Sequence, residues 1–356
     1  MSDKVTYSKA RQAHKTINWW EGVFPMLFIT NRTFEESRET EIGRQVNFDL
    51  RINEAGQSVY FCERKGKDDY VELGNEAFFQ TLRESEYKQI LLYIHGFSNL
   101  PESPIFPTAQ ALQDLFDSQE SNLVQVVPII WPCDNDLGLV QDYWDDQQAA
   151  DASAFAFGRV FEKFMAWRDQ DSEAEEPCIK RLNILAHSMG NRVFRGSIKA
   201  WGKYFRSYRL PLIFRNIFMV AADVVNESLE GLDGGLLCET ARNVTAYYAS
   251  DDLALRASKV GNLRNKVASR RLGHTGPENM SKVPKNVYSI DSDDVNTLYD
   301  SLVGHTYFLY DENGKKPGIV FEHIFNCVKT GRVPVEPEGG KTMVLRPKPK
   351  RKKSKK

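Results

Sequence analysis

The sequence lacks the features that define several common classes of protein. Its five cysteines form no C-x-x-C pair, and they are scattered at Cys62, Cys133, Cys178, Cys238 and Cys327. An odd, dispersed set fits neither a disulfide framework nor a zinc ribbon, so we expect free thiols in a reducing compartment. No apolar run approaches the roughly 20 residues that a membrane-spanning helix needs, and the N-terminal segment has no apolar signal-peptide core. These absences predict a cytoplasmic protein.

Internal repeats and metal-binding motifs are also missing. The six histidines do not combine with cysteines or acidic residues at a spacing typical of metal ligands. We therefore expect no metal site and no cofactor.

The basic residues are unevenly distributed. Residues 341–356 carry nine of the 47 Lys and Arg and no acid, which leaves 38 basic against 48 acidic residues in the rest of the chain. A basic block with interleaved prolines has little apolar surface to bury, so we expect it to be disordered. The block is either a solubilising tail or a segment that folds back on the acidic body, or it is attracted to nucleic acid or an anionic surface. The expected organisation is an N-terminal extension (1–22), one domain (23–335) and a disordered basic tail (336–356).

The hydrophobic pattern of the domain predicts an α/β fold. Residues 24–34 and the segments QVNFDLRI and SVYFCER have strand-type patterns and indicate antiparallel strands at the N-terminal flank. From residue 90 onward, short apolar strands alternate with helical segments, including a long helix over 146–169. This alternation implies right-handed crossovers and a mostly parallel central sheet with helices on both faces.

A serine lies at the carboxyl end of a predicted strand, which is where the reactive groups of such a sheet are found. Ser188 follows the apolar strand LNIL and precedes a helix that begins at Met189. A tight strand-to-helix turn at the carboxyl end of a strand exposes a nucleophile, and it needs small residues two positions before and after. Gly190 meets this demand, and Ala186 adds only a methyl group. The pattern predicts that Ser188 is a nucleophile on a nucleophile elbow.

A serine nucleophile needs a base, and the base needs an acid. Asp251 and Asp252 both follow an apolar strand, and His305 lies in a loop after the last predicted strand. The order Ser, Asp, His is the one expected of this fold. His274 is the rival base, but it precedes the last strand, so we favour His305. These residues alone do not show which of the two aspartates is the acid that orients the base.

The oxyanion hole requires at least two N–H donors. We predict the backbone N–H groups of Met189 and Phe97, with Ser98 as a further candidate and His95 bracing their loop. His187 adjoins the nucleophile, and we expect it to pack or hydrogen-bond rather than act as the base.

The segment before the long helix is aromatic and acidic. Tyr143 and Trp144 either line a substrate pocket or pack onto the sheet. Asp142, Asp145 and Asp146 either disfavour anionic substrates or are solvated.

Six motifs, in order and spacing, resemble the α/β-hydrolase superfamily: YIHGFSN, IIWP, NILAHSMGNRV, AADV, YYASDDLALRAS and GHTYF. The resemblance covers roughly residues 24–330 and is strongest to a mainly bacterial branch of unknown function. It implies a Ser–Asp–His hydrolase with Ser188 and His305 as nucleophile and base. In the family pattern the acid directly precedes the x-A-L helix start, which favours Asp252 and leaves Asp251 as a helix cap.

We therefore expect a serine hydrolase that cleaves a carboxylic ester of a small acyl substrate, with amides and thioesters as less favoured substrates. The competing hypothesis is a catalytically inactive binding protein of the same fold, tethered by its basic tail to nucleic acid or an anionic surface.

Overall fold

A computed structural model describes residues 25–37, 39–134, 139–256, 270–336 and 340–347, the side chains of 139–141 excepted. The strands are β1 (Met26–Thr30), β2 (Gln45–Val46), β3 (Tyr60–Gly66), β4 (Asp69–Glu72), β5 (Gln89–Ile94), β6 (Val124–Ile130), β7 (Arg181–His187), β8 (Phe214–Val220), β9 (Ala241–Tyr248), β10 (Val287–Asp291) and β11 (Thr342–Val344). The helices are α1 (Gly74–Glu84), α2 (Ile105–Gln119), α3 (Leu139–Asp171), α4 (Gly190–Phe205), α5 (Gly231–Glu239), α6 (Leu272–Thr275), α7 (Asn296–Tyr299) and α8 (Ile319–Thr330).

The strands form one sheet in the order β11-β10-β9-β8-β7-β5-β6-β1-β3-β4-β2. Strands β5 to β11 pair in parallel, as β1 does with β6, whereas β1, β3, β4 and β2 pair antiparallel. The predicted fold class is confirmed: a mostly parallel sheet carries antiparallel strands from the N-terminal part of the chain.

The central strands are mostly apolar and buried because helices cover both faces of the sheet. All six residues of β5 are buried. Ile90, Leu92 and Ile94 enter the core on one face, together with residues of α1, α3 and α4. Leu91 and Tyr93 enter the core on the other face, with residues of α2 and α8. The alternation of side chains along one strand thus builds two cores.

A row of amides crosses four adjacent strands near their amino ends. Asn243 Nδ2 donates to Asn216 Oδ1 (2.9 Å), Asn216 Nδ2 donates to Asn183 Oδ1 (2.8 Å), and Asn183 Nδ2 donates to Gln89 Oε1 (3.2 Å). The same amides also donate to backbone carbonyls at the end of α8, those of Cys327, Val328 and Gly331. The row therefore supplies donors to carbonyls at the C-terminal end of α8, where intrahelical donors run out, and it fixes α8 to the sheet. The Cys327 carbonyl also accepts from the Gly331 N–H at 2.8 Å.

The C-terminal segment differs from the expected disorder over residues 340–347. Strand β11 pairs with β10 from Ser289 and Thr342 to Asp291 and Val344, and the Leu345 N–H donates to the Asp291 carbonyl at 2.8 Å. Leu345 is buried. A short apolar run inside the basic block thus extends the sheet edge. Residues 348–356 and the N-terminal extension at 1–22 lie outside the described residues. In the described part of the chain, no helix is both long and apolar enough to cross a membrane.

We expect Asn216→Leu to lower the free energy of unfolding by about 3 kcal/mol or more, because each buried polar group left without a partner costs about 1–3 kcal/mol. The substitution removes the hydrogen bond that Asn216 donates to Asn183 Oδ1 and the one that it accepts from Asn243 Nδ2. Urea denaturation measures the change. Asn326→Leu, at an exposed position of α8, is the matched control. Equal stability of the two variants would contradict a role for the amide row.

Candidate active site

The turn from β7 to α4 holds Ser188 in an unusual backbone conformation. Its φ is +53°, in the left-handed region that non-glycine residues rarely adopt. The Ser188 N–H donates to the Val220 carbonyl at 3.0 Å, and the Ser188 carbonyl accepts from the Asp223 N–H at 3.1 Å. This conformation and this position, between a parallel strand and a helix, are those of a nucleophile elbow.

Close backbone contacts explain the small residues around Ser188. A Cβ at Gly190 would lie 2.5 Å from the carbonyl oxygens of both Ile94 and His95, so only glycine fits. Ala186 is instead an extended residue of β7, paired with Ile94 on one side and with Met219 of β8 on the other. Its methyl group is accommodated in the core, and the departure from glycine does not disturb the turn.

The loop after β5 passes directly beside Ser188. A Cβ at Gly96 would lie 3.0 Å from the Ser188 Cβ and 3.5 Å from its Oγ. Phe97 follows in this loop, and the Ser98 N–H donates to Asp146 Oδ2 at 2.8 Å. Since Ser98 already has a carboxylate acceptor, the candidate oxyanion donors are the N–H groups of Phe97 and of Met189, which is the N-cap residue of α4.

His95 braces the same loop from below. The Trp131 N–H donates to His95 Nε2 at 3.2 Å, so the proton is on Nδ1, which bonds the Gly96 carbonyl at 2.8 Å. The ring stacks on the Trp131 indole at 5.1 Å between centroids. Burial lowers the pKa of His95 to about 3, so the ring is neutral and suits a structural role.

The structure pairs His305 with Asp252. His305 Nδ1 lies 2.6 Å from Asp252 Oδ2, and the other oxygen of this fully buried carboxylate accepts from the Leu255 N–H at 3.0 Å. Asp252 therefore orients the histidine and caps the start of the following helix with the same side chain. Asp251 points elsewhere and accepts from Asn296 Nδ2 at 2.5 Å.

Electrostatics distinguish His305 from His187, whose rings lie 4.8 Å apart. Burial by itself lowers the pKa of His305, but the charge of Asp252 and its hydrogen bond outweigh burial, and the pKa is raised. Burial and the nearby His305 hold the pKa of His187 well below its usual value. His187 Nε2 bonds the His305 carbonyl at 3.2 Å, which anchors the His305 loop next to the Ser188 turn. The rival base, His274, lies in α6, whereas the partner of Asp252 is His305.

Tyr143 and Trp144 lie next to the loop that carries Phe97. The Phe97 and Tyr143 rings are 5.7 Å apart and the Tyr143 and Trp144 rings 6.2 Å apart, both edge to face. Tyr143 is buried, and its hydroxyl donates to Asp223 Oδ2 at 2.9 Å. Asp223 also forms a buried ion pair with Arg271 at 3.1 Å. Tyr143 is thus held rigidly by a polar network, and Trp144 is the more exposed of the two.

Of the two alternatives for the acidic cluster, simple solvation does not hold for two of its three members. Asp142 and Asp146 are fully buried, and only Asp145 is half-exposed. Asp142 and Asp146 are four residues apart and therefore lie on the same face of α3, which is turned toward the protein. This places Asp146 against the loops that follow β5 and β6.

Two polar residues of the site, Asn191 and Asp223, were assigned no role from the sequence, and Asp146 was considered only as part of the acidic segment. The Asn191 side chain donates to the carbonyls of Ala186 (2.8 Å) and Ser188 (3.1 Å) and so braces the turn from inside α4. Asp223 and Asp146 have the partners given above. Asn191 and Asp223 lie within the motifs NILAHSMGNRV and AADV, but the local sequence does not indicate which residues their side chains contact. Within the described ranges, no group of three or more His, Cys, Asp or Glu side chains could hold a metal ion.

Comparisons with known proteins give a match to a solved structure and a match to a family model. The solved structure of phospholipase PlaB from Legionella pneumophila in complex with thio-NAD matches with 16% sequence identity and a TM-score of 0.26, over 61% of this chain and 40% of that one. The match therefore spans less than half of the phospholipase chain. The comparison with curated proteins finds no match.

A family model described as alpha/beta hydrolase of unknown function (DUF900) matches residues 72–316. This range contains Ser188, Asp252 and His305, together with strands β5 to β10 that bring their loops to one edge of the sheet. The chain belongs to this family of α/β hydrolases.

Proposed function

We propose that this protein is a serine hydrolase that cleaves a carboxylic ester through an acyl-enzyme on Ser188, with His305 as the base and Asp252 as the acid. The observation that carries the proposal is the 2.6 Å contact between Asp252 and His305, whose ring lies 4.8 Å from that of His187, the residue before a serine held at φ +53°. A structural serine needs neither the strained turn nor a histidine oriented by a buried carboxylate.

Acylation begins with the His305 tautomer. Because Nδ1–H donates to Asp252, the lone pair on Nε2 is free to accept the Ser188 hydroxyl proton. As this proton moves, Ser188 Oγ forms a bond to the substrate carbonyl carbon, and the carbonyl oxygen becomes an oxyanion. The oxyanion is stabilised by the N–H groups of Met189 and Phe97. Collapse of the intermediate breaks the ester C–O bond, and the leaving alcohol takes the proton from His305.

Deacylation repeats these steps with water. His305 accepts a proton from the water, whose oxygen attacks the acyl carbon, and then returns the proton to Ser188 Oγ as the carboxylic acid leaves. The Asp252 carboxylate stabilises the imidazolium formed in each half-reaction. No proton is routed through His187, whose low pKa and bond to the His305 carbonyl favour a positioning role.

The aromatic residues Phe97, Tyr143 and Trp144 are the proposed acyl side of the site. Their edge-to-face packing joins the oxyanion loop to the start of α3. Leu253 and Val303, which are joined by a backbone hydrogen bond beside Asp252 and His305, expose 48% and 37% of their surface. Apolar surface on both sides favours an uncharged small-molecule ester over a highly charged substrate.

A fluorophosphonate reagent should label the purified protein, because it reacts with an activated serine. Ser188→Ala should abolish the labelling, and His305→Ala should reduce it to background. Gel fluorescence measures the labelling, with Ser197→Ala, a buried serine of α4, as the control that keeps full reactivity. Labelling that persists in Ser188→Ala would exclude Ser188 as the nucleophile.

The two adjacent aspartates should differ sharply in their effect on ester hydrolysis. Asp252→Asn should lower kcat by about 10³- to 10⁴-fold, because an amide cannot hold His305 in the required tautomer or stabilise its charged form. Asp251→Asn, the matched control, should lose less than about tenfold. Steady-state rates with a p-nitrophenyl ester test the difference, and a larger loss in Asp251→Asn would reverse the assignment.

The pH profile should report the titration of His305, which acts as a base only when neutral. Its pKa is raised above 6.5, so kcat/KM should be full above that pKa and decline as the pH falls through it. Asp252→Asn removes the charge that raises this pKa, so the residual activity should extend to lower pH. Identical acid limbs in the two proteins would show that His305 and Asp252 are not coupled.

A further inference from the structure

A buried carboxylate outside the Ser–Asp–His set touches the loop that carries the candidate oxyanion donor. Asp146 lies in the second turn of α3 and is fully buried. Its Oδ2 accepts from the Ser98 N–H at 2.8 Å, and its Oδ1 accepts from Asn53 Nδ2 at 3.0 Å and from the Asp134 N–H at 3.2 Å. Three N–H donors from three separate segments therefore converge on one acceptor group.

Such an arrangement matches the ionised form of the carboxyl. A carboxylate is an acceptor only, whereas a protonated carboxyl or an amide brings a donor to face other donors. The Ser98 bond matters most for the site, since Ser98 adopts φ +59° and directly follows Phe97. Gly96, on the other side of Phe97, is the residue in contact distance of Ser188.

We propose that Asp146 is a positioning residue of the hydrolase site: its carboxylate holds the Ser98 N–H and thereby keeps the Phe97 peptide where the oxyanion forms. This inference rests on the proposed function. The same carboxylate binds the loop after β6 through the Asp134 N–H, so the loops after β5 and β6 share one anchor.

The surroundings of Asp146 make its charge sensitive to pH. The charged and titratable groups that interact with it are Arg32 after β1 and Cys133 and Asp134 after β6. Asp142 and Asp145 lie on its own helix. Arg32 is fully buried and its Nη1 donates to the Cys133 carbonyl at 2.7 Å. Burial raises the pKa of Asp146 to about 7, although the Ser98, Asn53 and Asp134 bonds lower it. The anchor is therefore fully charged only above neutral pH.

The anchor can be tested without reference to catalysis. Amide hydrogen exchange of the peptide that contains Gly96 to Asn99, corrected for the intrinsic effect of pH, should show at least tenfold stronger protection at pH 8.5 than at pH 5.5. Asp146→Asn should lose this difference and exchange faster at pH 8.5. Asp169→Asn, on an exposed part of α3, should behave like the original protein.

Catalysis gives a second readout. In Asp146→Asn, kcat for the p-nitrophenyl ester should decline about 10²-fold, the loss typical of one oxyanion donor, with KM changed less than threefold. As the pH falls through the pKa values of His305 and Asp146, the original protein should lose more than tenfold in kcat/KM per pH unit, since both groups become protonated. Asp146→Asn should lose only tenfold per unit.

Asn53→Ala is a second variant that keeps Asp146 in place. It removes one bond that lowers the pKa of Asp146, so the change in loop protection should move to higher pH. Loop protection in Asp146→Asn and Asn53→Ala equal to that of Asp169→Asn would overturn the anchor. An intact anchor in a protein without fluorophosphonate labelling would instead refute the hydrolase function alone.

Discussion

The left-handed turn at Ser188 is the constraint on which the rest of the site depends. A non-glycine residue at φ +53° costs about 1–2 kcal/mol, so its surroundings must hold it there. Val220 at the end of β8 and Asp223 in the segment that follows it hold the turn from one side, and Asn191 holds it from α4. This turn also requires glycine at position 190, because the backbone carbonyls of Ile94 and His95 leave no room for a Cβ.

Parallel pairing separates the chemistry from the anchoring of the fold. The loops after β5, β6, β7 and β9 carry Phe97, Asp134, Ser188 and Asp252, and all leave the same edge of the sheet. Near the opposite edge, the amide row from Gln89 to Asn243 fixes the end of α8. A loop at the functional edge can therefore hold a strained or unusual conformation while the other edge maintains register.

Three buried carboxylates organise the functional edge, and each of the three accepts hydrogen bonds or forms an ion pair with named partners. Asp252 accepts hydrogen bonds from His305 and from the Leu255 N–H. Asp223 forms an ion pair with Arg271 and accepts from the Tyr143 hydroxyl. Asp146 accepts from three N–H donors. Burying a charge without such partners would cost far more than it contributes. These networks join α3 and the loops after β5, β6, β8 and β9 into one rigid frame around Ser188.

The sequence by itself determined the sheet and the elbow, because both are written in local patterns. Apolar runs of strand length alternating with helical segments require a covered parallel sheet, and small residues around Ser188 require a tight turn. It did not reveal that Asp142 and Asp146 are buried or that Thr342–Val344 adds a strand. Nor could composition separate Asp251 from Asp252, which are chemically identical neighbours. Only the tertiary structure decided these points, since the partners of Asp146 and Asp252 lie 48 and 53 residues away along the chain.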